Sequence, residues 1–400
     1  MNIKRLAASG VMLAMLLTGA VMAHGETADF GNPADFKTGM EENFYVQEGS
    51  FQELDTIKMA SQGKLMSCFG NNAGSVYTVF FLPPAPEQDY AIGNPQRGWA
   101  DEAPTAIDDP EIENYPANPF FSPAGWQYKL RQDEALVLFT GLPPQCKYYS
   151  FINYILFTQE KELKDYTSEK AYFRVGNQDI GLYHPVFGSI GSSIHAGNVK
   201  STDGSPYGSQ AVIVISANQT VTDTVLAQLK ASGFSEDVIN VMTIPAETYR
   251  MGLEKGKDTF AFLGRISQPE SQEDYDAYIA NLKETSTVYR VTPKEEVADA
   301  PYENETLIPR GTGVHEAASL PRVEEHLDEM RKAIIAQYAD EYDYEELTGD
   351  IAVPEGLTAY TKDINSLGDN RDTSYLMTRD FTLNSDEDFI VVYGVNHTAT

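Results

Sequence analysis

QAVIVISANQTVTDTVLAQLKASGFSEDVINVMTI, residues 210–244, is the stretch on which the fold turns. Its first seven residues are a short run rich in β-branched side chains, the pattern of a strand buried on both faces. A helix is expected next, with Thr222 as N-cap, Val225, Leu226 and Leu229 on one face, and Gly233 as the stop. DVINVMTI (237–244) returns to strand character, and DTFAFLGRIS (258–267) repeats it. Ser271 to Asp274 resembles a capping box, and Tyr275, Tyr278, Ile279 and Leu282 then recur at helical spacing. STVYRVT (286–292) closes the unit. The β-α-β-β-α-β order over 206–292 predicts a ferredoxin-like unit, a fold that hosts many activities and so fixes none.

On the N-terminal side, residues 24–205 are expected to form a β-rich, sandwich-like domain. GSVYTVFFLPP (74–84), EALVLFTGLPP (134–144) and CKYYSFINYILF (146–157) combine β-branched and aromatic residues with Gly or Pro boundaries. Pro143 and Pro144 predict a sharp connection between two antiparallel strands. Residues 83–123 hold nine prolines and eight acids with Arg97 as the one base. A connection this long inside a compact domain is usually functional or mobile. It carries Trp99, and Trp126 follows it, so its aromatics are expected either to pin the loop onto the domain or to offer a stacking face for a flat ligand or sugar ring.

On the C-terminal side, 293–315 is a proline-punctuated connection. Val323, Leu327, Met330, Ile334 and Tyr338 then mark a helix, with Asp328 and Lys332 as an i, i+4 ion pair. The last stretch, DFTLNSDEDFIVVYGVNHTAT (380–400), predicts two antiparallel strands about an NSDED turn. The strand-like ending suggests that a further segment pairs with it. The expected fold class is therefore α+β: a β-rich domain, a ferredoxin-like unit, and a segment 293–400 of linker, helix and C-terminal strands.

The N-terminus reads as a secretory signal peptide over 1–23: Lys4 and Arg5, an apolar run from Leu6 to Ala23, and small residues at the cleavage positions before His24. A secreted or periplasmic protein is expected. Removing Lys4 and Arg5 takes the formal net charge from -30 to -32. Such a chain repels phosphates and anionic lipid, so nucleic acid and, after cleavage, the membrane are excluded as partners. Cys68 and Cys146, the two cysteines, are expected to form a disulfide in an oxidising compartment.

SLGDNRDTSYLMTR (366–379) resembles, over Gly368, Asp369, Asn370 and Ser374, the last conserved box of type I signal peptidases, G-D-N-x-x-x-S-x-D-S-R. That family needs a serine nucleophile in an S-x-M-x-P box and a buried, neutral lysine base. Ser67 in LMSCFG is preceded by Met66 with no proline after it, and no lysine stands in a matching box before Gly368. Nor does Asp-Ser-Arg follow Ser374. The resemblance is local and implies no peptidase; a turn whose side chains satisfy backbone groups is the expectation.

No phosphate loop, dinucleotide fingerprint, nucleophile elbow or zinc-protease motif is present, and nothing in the sequence calls for a cofactor or metal. Two places could carry chemistry. PRGTGVHEA (309–317) sets Arg310, His315 and Glu316 about two glycines, an anion-binding pattern. VVYGVNH (391–397) sets Tyr393 and His397 after a strand-like run. Brought beside Asp369 and Arg371, these would supply an acid, a base and a cation. Two functions follow as alternatives. One is an exported hydrolase acting on a small molecule or glycan fragment through Arg310, His315, Glu316, Asp369, Arg371 and His397. The other is a non-catalytic protein that binds such a ligand through Trp99, Trp126 and Tyr393. The oligomeric state is not written in the sequence.

Overall fold

Local sequence sets the elements, and pairing between distant segments sets the architecture. The structure, a computed structural model, describes residues 29–55, 75–86, 88, 126–160, 182–254, 256–306, 322–351, 355–372 and 376–394. Among them are eleven strands: β1 (Phe44–Leu54), β2 (Ser75–Phe81), β3 (Ala135–Gly141), β4 (Cys146–Glu160), β5 (Leu182–His195), β6 (Gln210–Ser216), β7 (Ile239–Thr243), β8 (Thr259–Pro269), β9 (Thr287–Pro293), β10 (Asp350–Ile351) and β11 (Leu376–Met377). Five α-helices accompany them: α1 (Pro33–Met40), α2 (Gln219–Ala231), α3 (Gln272–Thr285), α4 (Val323–Tyr338) and α5 (Gly356–Lys362). The class is α+β.

Strands β1 to β9 form one sheet in the order β5-β4-β8-β2-β1-β9-β3-β6-β7. All neighbours are antiparallel except β6 and β7, which α2 connects as a parallel pair. β1 joins the two halves: its first part pairs with β9 and its second with β2, the change falling between Gly49 and Ser50. A Cβ on Gly49 would come within 2.5 Å of the Phe81 carbonyl, so glycine lets the strand bend there. The sheet curls until its two ends approach. Asn240 of β7 accepts from the Lys200 amide at 2.8 Å and donates to the Lys200 carbonyl at 3.0 Å, just beyond β5.

The inward faces of all nine strands supply one apolar cluster, centred on aromatic rings. Phe80 and Phe262 stack at 4.1 Å and 4°. Phe51 and Phe151 meet Phe262 at 6.0 and 5.9 Å. Helix α3 adds Tyr275 and Leu282 to the same cluster. Its start is as expected, with the Ser271 side chain accepting from the Asp274 amide at 3.2 Å. The outer face of β3, β6 and β9 is covered by Phe36 and Met40 of α1 and by Val221, Val225 and Leu229 of α2.

Several expectations need correcting. The β-α-β-β-α-β elements lie where expected, but their strands make no sheet of their own. β6 pairs with β3 and β7, whereas β8 lies between β4 and β2, and β9 between β1 and β3. Strands from 24–205 and 206–292 therefore interleave in one sheet rather than in a separate sandwich. β3 and β4 are not neighbours, so Pro143 and Pro144 make no hairpin. The N-cap of α2 is Asn218, whose side chain accepts from the Val221 amide at 3.2 Å; Thr222 lies in the first turn and donates to the Asn218 carbonyl. Residues 380–383 and 389–394 are exposed and in no strand; the strand content nearby is the two-residue pair β10–β11. Helix α4 forms as expected, with Lys332 and Asp328 paired at 2.5 Å, but it buries no residue.

Buried charges lock the barrel wall. Arg290 on β9 is 1% exposed; it donates to the carbonyls of Pro83 and Lys129 and faces Glu134 at 3.6 Å. Glu134 in turn accepts from Thr292 at 2.5 Å and from the Arg131 amide at 2.8 Å. Lys129 is fully buried, and its ammonium donates to the carbonyls of Lys257 at 2.6 Å and Glu254 at 3.0 Å. Burial lowers its pKa to about 7, with Asp258 pulling the other way. A folded pKa below the unfolded 10.5 means that the unfolded chain holds more protons between these values. On this group's account stability rises with pH across that window, is lost as pH falls from 10.5 to about 7, and changes little below. Denaturant unfolding of wild type and Lys129→Met should show the wild type gaining on the variant by up to about 2 kcal/mol between pH 7.5 and 9.5. A pH-independent difference would contradict the assignment.

Candidate functional site

The exposed edge of β5 is where sequence motif and fold meet. As the end strand among the described residues it carries outward N–H and C=O groups that no described strand pairs with, a liability unless covered. Residues 366–372, the Gly-Asp-Asn-Arg stretch, cover it. The Ser366 amide donates to the Val186 carbonyl at 2.7 Å, and the Gly368 amide to the Phe187 carbonyl at 2.9 Å. The Asp369 carboxylate takes the Ser189 amide at 2.7 Å on one oxygen, and the Ser189 hydroxyl at 2.7 Å and the Gly356 amide at 3.2 Å on the other. Glu305 accepts from the Ser192 amide at 2.6 Å. Gly368 has φ +73°, and a Cβ there would press on the Phe187 ring at 2.9 Å, so this turn requires glycine.

Neighbouring side chains fasten the same strap. Tyr154 donates to the Asp369 carbonyl at 2.8 Å. Asp372 accepts from Tyr148 at 2.6 Å and Ser193 at 2.8 Å. Asn370 donates to the Tyr148 hydroxyl at 3.0 Å. Helix α5 lies against β5 through a glycine pair: a Cβ on Gly188 would stand 2.7 Å from the Gly356 Cα. Tyr360 of α5 donates to the buried Asp258 at 2.9 Å, and Asp258 also accepts from the Arg250 amide at 2.8 Å and its guanidinium at 3.0 Å. Burial pushes the carboxyls of Asp258 and Asp369 above their ordinary pKa; for Asp369 the Ser189, Ser366 and Gly356 donors oppose the rise.

Beside the strap opens a shallow cleft of about 40 Å³, lined among others by Ser189, Tyr249, Asn304, Glu305, Glu355 and Arg371. Arg371 donates to the Ser192 hydroxyl at 3.1 Å and meets Glu355 at 3.6 Å. The cleft thus offers a guanidinium, two carboxylates and an amide. Its volume admits a hydroxyl or two, not a whole ring.

Of the expected site residues, Asp369 and Arg371 lie together on the strap, and Arg371 lines the cleft. Tyr393 is exposed, on the segment whose Phe389 packs against Tyr338 and Tyr342. Trp126 is 5% exposed in a cluster with Tyr77, Ile152 and Tyr154, the place of an anchor rather than a stacking face. Cys146 is a buried thiol donating to the Tyr148 carbonyl at 3.4 Å, and burial raises its pKa to about 11. Cys68, Trp99, Arg310, His315, Glu316 and His397 lie outside the described residues. The acids and amides crowded about Gly368 face different partners, and among the described residues no group of three or more His, Cys, Asp or Glu is placed to hold a metal ion. No helix among them is long and apolar enough to cross a membrane. Glu305, Glu355 and Tyr249 were not singled out by sequence; no local pattern marks them, because the barrel's seam assembles them. No protein-family model, curated protein or solved structure matches the chain.

Asparagine at 369 would keep one acceptor oxygen and turn an NH₂ toward backbone or hydroxyl donors. Asp369→Asn should lower unfolding stability by about 1–3 kcal/mol, and Ser189→Ala, which removes one hydroxyl donor, by about 1 kcal/mol. Equal stability of Asp369→Asn and wild type in urea titrations would contradict the strap's role.

Proposed function

We propose that the chain is an exported, non-catalytic binding protein that holds a hydroxyl-rich small molecule, or the end of a glycan, at the cleft beside the strap. The observation that carries this reading is the juxtaposition of Arg371, Glu355, Glu305 and Asn304 around a small opening. Adjacent donors and acceptors match vicinal hydroxyls, each of which both donates and accepts. A chain of formal net charge -30 disfavours anionic ligands and nucleic acid. Against hydrolysis, both oxygens of Asp369 are engaged by Ser189 and Gly356, and Asp372 by Tyr148 and Ser193, so the acids of the motif are occupied in fastening the strap. Export rests on the signal-like N-terminus.

One observation favours the hydrolase alternative: Glu305 and Glu355 both line the cleft, and a carboxylate pair is the usual equipment for glycoside cleavage. Calorimetry of the full chain with a panel of monosaccharides, disaccharides and polyols separates the two. The binding reading expects a ligand whose affinity falls roughly tenfold or more in Glu305→Gln and Glu355→Gln, with no turnover. Silence across the panel would overturn it. Hydrolysis of chromogenic glycosides by the wild type, abolished in either variant, would replace it with the hydrolase.

A further inference from the structure

A second surface differs from the barrel in how it treats strand-forming sequence. Residues 389–394, Phe-Ile-Val-Val-Tyr-Gly, have strong β character yet lie in no strand, and none of the described backbone hydrogen bonds uses them. Val392 is 90% exposed, and Ile390, Val391 and Tyr393 are exposed beside it, with Phe381 and Leu383 across the turn. The start of the segment is nonetheless fixed. Asp388 accepts from the Asn384 amide at 2.6 Å and the Ser385 hydroxyl at 2.7 Å, closing the turn before it. Phe389 packs edge-on against Tyr338 at 5.0 Å and Tyr342 at 5.1 Å. The result is a positioned but uncovered apolar segment. On β5 the same exposed edge is covered by the 366–372 strap; here nothing described covers it.

Charge indicates what fits. Residues 323–351 carry ten acids and 376–394 four, against Arg331, Lys332 and Arg379. Those three cations are already paired, Arg331 with Glu346 and Asp328, Lys332 with Asp328, and Arg379 with Glu345. The segments that precede the apolar run and pack against its Phe389 are therefore strongly acidic. A second copy of this chain would bring like charge to it, whereas a basic partner would find complementary potential. We propose that 389–394 docks an extended, basic polypeptide segment with alternating apolar residues, which adds to it as a β-strand. Backbone hydrogen bonds would give the affinity, and the alternate side chains would rest on Ile390 and Val392.

The test uses the full chain and a labelled octapeptide of alternating lysine and valine, with a glutamate–valine octapeptide as control. Fluorescence anisotropy should show binding of the lysine peptide alone, weakening with salt. Ile390→Asp and Val392→Asp change exposed side chains, so the fold should persist by circular dichroism, and both add negative charge. General attraction to an acidic surface would leave these variants equal or tighter; docking on the 389–394 segment loses at least roughly tenfold in affinity. Equal or tighter binding by the variants, or no binding of the lysine peptide to wild type, overturns the proposal. So does self-association of the wild type at the same concentration that Val392→Asp abolishes, which would make the occupant a second copy.

Discussion

The Asp369 carboxylate, receiving two donors from Ser189 and one from Gly356, is the interaction on which the barrel's seam depends. A curled sheet that stops short of closure leaves two edges. β7 meets the chain after β5 through the Asn240 side chain. Among the described residues no strand is hydrogen-bonded to the outer edge of β5, and the strap supplies a partner there with backbone and side-chain bonds. Removing the carboxylate would leave the Ser189 amide unpaired in a buried place, where the cost of an unmade hydrogen bond is greatest. The cleft depends on the same fastening, because Arg371 and Glu355 reach it from the strap and from the start of α5.

Much of the local structure is legible in the sequence. The apolar run of β6, the face of α3 and the capping serine at 271 specify themselves through periodicity and a single hydroxyl. Which strands pair is a different matter. The runs that become β3 and β4 both look like buried strands, and nothing within either says that β9 and β6, not β4, flank β3. Asn218 outcompetes Thr222 as cap because both its carbonyl and its side chain meet the first turn, a distinction set by where β6 ends. The 389–394 run shows the converse: strand propensity without a partner makes no strand.

The peptidase-like box illustrates how a polar motif misleads. Glycine, aspartate, asparagine and arginine in succession suggest chemistry, because the same residues serve active sites. In this chain Gly368 supplies a left-handed turn, Asp369 accepts donors from β5, Asn370 donates to the Tyr148 hydroxyl, and Arg371 spans from Ser192 to Glu355. Each is explained by closing an edge strand. What the motif leaves over is Arg371's face toward the cleft, and that remainder carries the binding proposal.

Amide hydrogen exchange at Ser189 tests the central claim most directly. Its N–H points away from β4 and has the Asp369 carboxylate as its acceptor. If the strap is a fixed part of the barrel, the amides of Ser189, Gly356, Ser366 and Gly368 exchange together, at the slow rate of the amides between β4 and β8, through a shared opening. Exchange of these four at the rate of the exposed 389–394 segment, while the β4–β8 amides stay protected, would show a strap that comes and goes, and would contradict the account.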